Sequence, residues 1–448
     1  MSDLLAIGAS SVRAYQSALT TVSDNIANAA TPGFARRTTT LAEISATSGR
    51  LSQRITTDGL GVAVTGVARL ADGFRATAVR SAGADLARTE TSATWLGSIE
   101  GALGNNQLGA TVTSFFNAAK AVATDPSAST PRTALIESAS GVASAFAATG
   151  RALDQANSDL DSAAAATVGS LESIGATLAQ VNAGLSRAAP GSVSEAQLLD
   201  QRDQALEQLS ALSDINVSIT DGGQATVRLG GANGPVFVDG NTAGYVTYLR
   251  NDSGAVSLVV HRAGAVAGLS PTGGALAGIV DGAQRIAGAR QTLNQIATDF
   301  VEGVNAVQAQ GRDLDGNPGA PIFANGTPPT DISIVITGPR AIAAAAVGGG
   351  PRDNSNLAAL DALRRSGGYE DRLAGQIADN AATLAGRRTV ADAQTSIRDG
   401  AVAARDQVSG VNLDQEAVDL LRFQQAYQAS SRVIQVARET LQSILDIR

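Results

Sequence analysis

Two seven-residue apolar repeats, one at each end of the chain, restrict its fold more than any other feature. Near the N-terminus Leu5, Val12, Leu19 and Ile26 recur every seven residues, with Gly8, Tyr15, Val22 and Ala29 three places behind each. Near the C-terminus Leu413, Leu420, Tyr427, Ile434 and Leu441 do the same, with Phe423, Ala437 and Ile444 on a companion seam. A sustained heptad stripe makes a helix bury one seam on a partner helix. Stripes at both ends predict that the termini find each other or find copies of themselves.

Between the stripes lies a chain too long for one ordinary core, since 448 residues predict two to four domains. Apolar residues make up 44% of it but aromatics only 3%, which favours helices packed closely through small side chains. A formal charge of −8 gives no electrostatic footprint for nucleic acid or an anionic membrane. The chain has no cysteine, so disulfides and thiolate metal sites are ruled out. The N-terminus lacks the basic cluster and apolar core of a cleaved secretory signal. No apolar run approaches the roughly 20 residues that span a bilayer.

In chain order, the first helix is predicted to run to about Asn28 and to end at Thr31, Pro32 and Gly33. Pro32 disfavours helical geometry before it, and Gly33 turns freely. Residues 34–71 alternate in β-branched side chains and predict a hairpin. Helix resumes near Gly73. Thr130 and Pro131 suggest a cap and first turn for a long helix with Phe146, Leu153, Leu160, Ile174 and Val181 on one stripe. That helix stops before Pro190 and Gly191, and Ser194 with Gln197 suggests a capping box for the next, whose Leu199, Leu206 and Leu209 face inward. Alternation over Ile215–Ile219 and Ala225–Leu229, around Asp221-Gly222-Gly223, predicts a second hairpin, with short strands following to Val260. Helix returns near Gly274, carrying Leu293, Ile296, Phe300, Val304 and Val307 at spacings of three and four. An irregular stretch from Gly311 to about Gly350 follows, then helix from Asn354 to Gln407 broken at Gly367 and Gly368. Asn412 caps the last helix.

No motif in this order carries catalytic chemistry. His261 sits in a strand-like run with no nucleophile or carboxylate beside it in the pattern, which reads as structural. Asp313-Leu-Asp-Gly-Asn-Pro318 resembles the start of a calcium loop, but Pro318 stands where that loop needs glycine and Ala324 where it needs glutamate. A tight surface turn fits better. Lys120, the only lysine, lacks the glycines of a phosphate loop. Asp200 and Asp203 lie among Gln201, Arg202 and Gln204 and read as one solvated or salt-bridged helix face. No catalytic, cofactor-binding or metal-binding residue is predicted.

Beside the heptads stand blocks that resemble a known family. Asp24, Asn25, Ile26, Ala27 and Asn28, followed by Thr31, Pro32, Gly33 and Phe34, resemble the N-terminal signature of bacterial flagellar axial proteins, the subunits of rod, hook and hook–filament junction. Ser409 to Asp414 and Phe423 to Ser430 look like the C-terminal blocks of the junction-forming members. Leu198 to Asp203, the helix Leu293 to Val307 with Asn305, and Gly311 to Pro318 agree with those members too. Phe34 stands where the family commonly has tyrosine, and the strand-rich insert is short for it.

The resemblance implies a structural, non-enzymatic adaptor forming a ring between hook and filament. It implies export through the flagellar channel, so that the protein is cytoplasmic only transiently and then extracellular, on the flagellum. The implied partners are copies of itself, hook protein, the second junction protein (hook-associated protein 3) and an export chaperone bound to the C-terminal helix. Two other readings of the heptads stay open at this point: another axial protein, such as a hook or filament subunit, or a cytoplasmic coiled-coil scaffold or signalling protein.

The expected fold is mainly α with inserted β, elongated and multidomain. Residues 1–35 and 409–448 are expected to form a terminal coiled coil, and 36–213, 272–312 and 351–408 a helical bundle. Residues 214–271 and 313–350 are expected to form an inserted antiparallel β-rich outer unit. The assembly residues expected on the N-terminal side are Leu5, Val12, Leu19, Val22, Asn25, Ile26, Asn28, Thr31, Pro32, Gly33 and Phe34. On the C-terminal helix they are Leu413, Leu420, Phe423, Gln424, Tyr427, Ile434, Leu441 and Ile444.

Overall fold

The computed structural model describes residues 2–44 and 61–446; the part of the first predicted hairpin that falls in 45–60 lies outside them. Helix α1 (Ser2–Ala27) leads through Gly33, whose φ of +79° suits only glycine, into an antiparallel hairpin of β1 (Arg37–Glu43) and β2 (Val62–Arg69). Asp72 then caps α2 (Gly73–Gly104), its carboxylate accepting from the N–H groups of Phe74 at 2.9 Å and Arg75 at 3.1 Å.

Next come α3 (Leu108–Thr124) and α4 (Ser129–Leu185). The 57 residues of α4 make a rod of about 85 Å. Its predicted stripe is its buried face: Phe146, Leu153 and Leu160 are fully buried and Val181 nearly so, with Ile174 at the margin. The start differs from the sequence expectation. Ala128 stands at the cap position without a side-chain bond, so Thr130 lies inside the first turn. Pro131 is tolerated there because the first N–H groups of a helix have no intrahelical acceptor to lose.

Helix α5 (Val193–Leu212) is also capped two residues earlier than the pattern suggests. Ser192 Oγ accepts from Glu195 N at 3.1 Å, and Glu195 accepts from Gly191 N at 2.5 Å. Gly191, at φ +73°, completes the turn immediately before Ser192, so the first serine reached becomes the cap rather than Ser194.

The insert forms two antiparallel sheets. One holds β3 (Ile215–Ile219), β4 (Ala225–Leu229), β5 (Val236–Asp239) and β6 (Thr242–Ala243) in that order; the other holds β7 (Tyr245–Arg250), β8 (Val256–Arg262) and β9 (Ala265–Leu269). Both lean on α4, and the approach is close. A Cβ on Gly175 would lie 2.5 Å from Phe237 Cε1, so the Phe237 ring rests on the helix backbone.

Helix α6 (Gly274–Gln310) re-enters the body and buries Leu293, Ile296, Phe300, Val304 and Val307. After it come the short pair β10 (Phe323–Ala324) and β11 (Ser333–Ile334), then α7 (Ser355–Gly367), α8 (Tyr369–Ser409) and α9 (Leu413–Asp446). Gly368, at φ +53°, separates α7 from α8.

Residues 313–350 do not join 214–271 in one β-rich unit; they pack on the helical body instead. Phe323 lies 5.4 Å from the ring of Phe300 and 5.8 Å from Phe115, in a cluster with Phe116, Phe146 and Tyr369. Arg132 of α4, 1% exposed, donates to the carbonyls of Pro339 and Ile342. The apolar residues Ile322, Phe323, Ile332, Ile336 and Ile342 are what the helices collect, and the short β10–β11 ladder is too small to bury them itself.

Candidate functional site

Asn412 Oδ1 caps α9 by accepting from the N–H groups of Asp414 at 3.0 Å and Gln415 at 3.2 Å. From there α9 runs antiparallel to α1. Glu416 meets Asn25, the ring of Phe423 lies 6.4 Å from that of Tyr15, and Ile434 lies over Gly8. The termini therefore find each other within one chain. On α9 the facing positions are Glu416, Leu420, Phe423, Tyr427, Ser430, Ile434 and Ala437, alternating four and three apart, as a heptad seam requires. Leu413, Leu441 and Ile444 lie outside that contact at 54%, 41% and 54% exposed, and Gln424 is exposed as well.

On α1 the deepest row differs from the heptad expectation. Gly8, Ala14, Ala18, Val22 and Asn25 are buried, whereas Leu5, Val12 and Leu19 are half-buried and Ile26 is exposed. The reason is that α1 has two neighbours, α9 on one side and the β1–β2 hairpin on the other. Ser10 Oγ accepts from Val62 N at 3.3 Å, and Thr39 Oγ1 donates to Thr21 Oγ1 at 2.9 Å. The row between two neighbours is the most enclosed, and small residues there let the backbones approach.

Where α1 ends, polar groups take over. Asn25, 1% exposed, uses its whole amide: Nδ2 donates to Arg37 O at 2.8 Å and Glu416 Oε2 at 2.9 Å, while Oδ1 accepts from Arg37 N at 3.0 Å. Glu416 is fully buried, and its other oxygen accepts from Arg36 Nε at 2.6 Å. Arg36 reaches on to Asp419 at 3.2 Å. A buried carboxylate is tolerated only when paired and hydrogen-bonded, and these contacts supply that.

The Arg37 guanidinium bonds Asp200 of α5 at 2.6 Å and lies 4.7 Å from the Phe34 ring centroid. Arg69 bonds Asp200 at 2.5 Å and Asp203 at 2.7 Å, and Arg202 completes the group on Asp203 at 2.7 Å. The Asp200–Asp203 face is thus salt-bridged. Asn28 closes the turn, donating to Asp24 O and accepting from Thr31 Oγ1, while Thr31, Pro32 and Gly33 are exposed. Beside this junction lies a cleft of about 630 Å³ between the 29–35 turn, β3, α2 and α5.

Sequence reasoning singled out Asn25 and Phe34 but missed Arg36, Arg37, Arg69 and Glu416. One signal was available: Glu416 occupies a seam position of the C-terminal heptad, where a lone carboxylate demands a partner.

The remaining face of α9 is open and carries two exposed apolar pairs, with Arg422, Gln425 and Arg432 exposed between them. Val418, Leu421, Val433 and Val436 are 65%, 58%, 41% and 60% exposed. Elsewhere, the His261 ring stacks on Tyr245 at 4.6 Å. In the Asp313 loop, Oδ1 of Asp313 accepts from the N–H groups of Asp315 and Asn317. Among the described residues no group of three or more His, Cys, Asp or Glu could hold a metal ion, and no helix is long and apolar enough to cross a membrane.

The model of the flagellar hook-associated protein FlgK helical domain matches residues 96–323. That of the flagellar basal body rod FlgEFG protein C-terminal region matches residues 405–447. Flagellar hook-associated protein 1 of Salmonella typhimurium is 26% identical over 100% of both chains, and that of Escherichia coli K12 is 25% identical over 100% of both. The Bacillus subtilis protein of the same name is 25% identical over 97% of this chain and 96% of its own. The solved structure of the flagellar hook junction protein FlgK from Burkholderia pseudomallei superposes with a TM-score of 0.50 at 27% identity, covering 55% of this chain and 46% of that one.

Proposed function

This chain belongs to the FlgK family of flagellar hook-associated proteins, and on that footing we propose that it works as a ring-forming adaptor whose terminal helix pair is its assembly element. It is a structural protein of the hook–filament junction. The reading of its assembly element rests on one observation above the others. The α1–α9 pair has satisfied its inner seam within the chain and still presents Val418, Leu421, Val433 and Val436 outward.

An apolar row of that kind is worth about 1.5–3 kcal/mol for each large side chain that a neighbour buries. Neighbouring copies in the ring, hook protein below, the second junction protein above and an export chaperone before assembly are the partners that would cover it. The residues expected to carry assembly remain those of the two terminal helices and the Asn25–Phe34 turn, with Glu416 and Arg36 added. In this reading residues 1–35 and 409–448 line the inside of the ring, the helices form its wall, and 214–271 face outward. The protein performs no catalysis, leaves the cytoplasm through the flagellar channel and functions outside the cell.

Removing the residues after Leu413 in an otherwise normal strain tests the reading. Hooks are expected to form and filament subunits to be shed into the medium. Filaments attached to hooks at the parental frequency would overturn it.

A further inference from the structure

We propose that α1, the β1–β2 strands and α9 move as one unit on the rest of the chain, and that Asp200 is the catch that holds that unit in place.

The hairpin goes with the termini. It packs mainly on α1, and its principal neighbour in the body is α5. The unit so defined is joined to the body by two short connectors, residues 70–72 and 410–412. These lie side by side, because Arg36 N donates to Ser409 O at 2.8 Å and Leu70 N donates to Arg36 O at 2.9 Å. Two adjacent connectors define a hinge line rather than a fixed joint.

Among the described residues, few bonds join the hairpin to the body. Val67 N donates to Gly191 O at 2.7 Å, and a Cβ on Gly66 would meet that same oxygen at 2.8 Å, so this contact is bare backbone. The rest is ionic. Arg37 and Arg69 stand directly opposite each other in the β1–β2 register, with side chains 6% and 9% exposed. Like charges facing each other across strands repel. Asp200 reverses the sign of the arrangement, because one of its oxygens bonds Arg37 and the other bonds Arg69. One carboxylate on α5 therefore ties both arginines of the hairpin base to the body, and Asp203 adds a second bond to Arg69. The cleft on the open side gives the unit somewhere to go, with Pro32 on one wall and Val217 and Ile219, 48% exposed, on the other. Closure would bring these apolar groups together.

The absence of cysteine makes the test direct. Nitroxide labels on Ser23→Cys and Ser218→Cys, both exposed, report the distance across the cleft by pulsed electron resonance on the full chain. One narrow distribution is expected for the parent, and a broader, shorter one for Asp200→Asn. Arg69→Gln, which removes the bonds of Arg69 to both Asp200 and Asp203 without stranding a buried cation on the hairpin, is expected to broaden it too. Asp203→Asn, which leaves both bonds to Asp200 intact, is expected to stay narrow. A broad distribution in the parent, or identical distributions in the parent and both catch variants, would overturn the proposal.

Discussion

Asn25 shows how much a single side chain can hold at the seam between two helices and a hairpin. Three hydrogen bonds engage both ends of its amide, and each partner is itself buried or part of the hairpin backbone. Asn25→Ala leaves Arg37 N without its acceptor and takes one donor from a fully buried carboxylate. An unsatisfied buried group costs about 1–3 kcal/mol, so chemical denaturation is expected to show a loss in that range, with amide exchange faster in α1 and β1. Asn25→Asp is expected to be worse, because it sets a second carboxylate against Glu416. The signature drew attention to Asn25 from the sequence, but nothing local to it named Glu416, 391 positions away. The one periodic trace is on the other side, where Glu416 interrupts a mostly apolar seam. The heptad count looked for apolar residues, and at Glu416 and Ser430 the seam is polar.

At the level of elements, periodicity was most informative where a helix is enclosed by the body and least informative where it serves two neighbours. Helix α4 meets α3, α5 and α6 and the sheets of the insert, and its predicted stripe is its core face. Helix α1 is shared between α9 and a hairpin, so its most enclosed row keeps Gly8 and Val22 of the predicted companion seam but takes Ala14, Ala18 and Asn25 in place of Leu5, Val12 and Leu19. Caps were legible as residue types but not as positions, since Ser192 and Ser194 are both competent and the turn at Gly191 chose between them. The β7 strand carries a feature that no pattern announces. Tyr248 donates to Asp161 of α4 at 2.8 Å, and Arg250 bonds the same carboxylate at 2.7 Å. Burial, reinforced by the Asp161 charge, pushes the Tyr248 hydroxyl well above its ordinary range, while the hydrogen bond from Arg250 holds Asp161 below its own. For Tyr248 the unfolded chain therefore loses its proton first. Its contribution to stability is complete below about pH 10, the ordinary tyrosine value, and declines as pH rises from there through the higher folded value. Thermal melts from pH 9 to 12 are expected to show a decline that Tyr248→Phe lessens. One group can give at most about 1.4 kcal/mol per pH unit, and a half-buried ring gives less.

For the molecule as a whole, the nested order of terminal helix, body, insert, body and terminal helix was readable from the sequence, because each change of period marks a change of element. Two placements were not. The 313–350 stretch looks like strand but is too short in ladder to bury its own isoleucines, so the helical body takes them; the first hairpin lies between body and termini in sequence yet packs mainly on α1. The alignment with the Salmonella protein runs over 559 residues against the 448 of this chain, so the likeness leaves substantial gaps here while both ends remain matched. Their outer face gives a test that separates folding from assembly. Val436 is 60% exposed, mostly open to solvent among the described residues, so Val436→Asp should change unfolding free energy by no more than about 0.5 kcal/mol. In an assembly that buries this row, the same aspartate would be an unpaired charge in an apolar contact, where ionised groups are strongly disfavoured. A variant that melts with the parent yet fails to hold filaments on hooks is the expected result. Normal attachment would show that this row faces water in the flagellum as it does in the monomer.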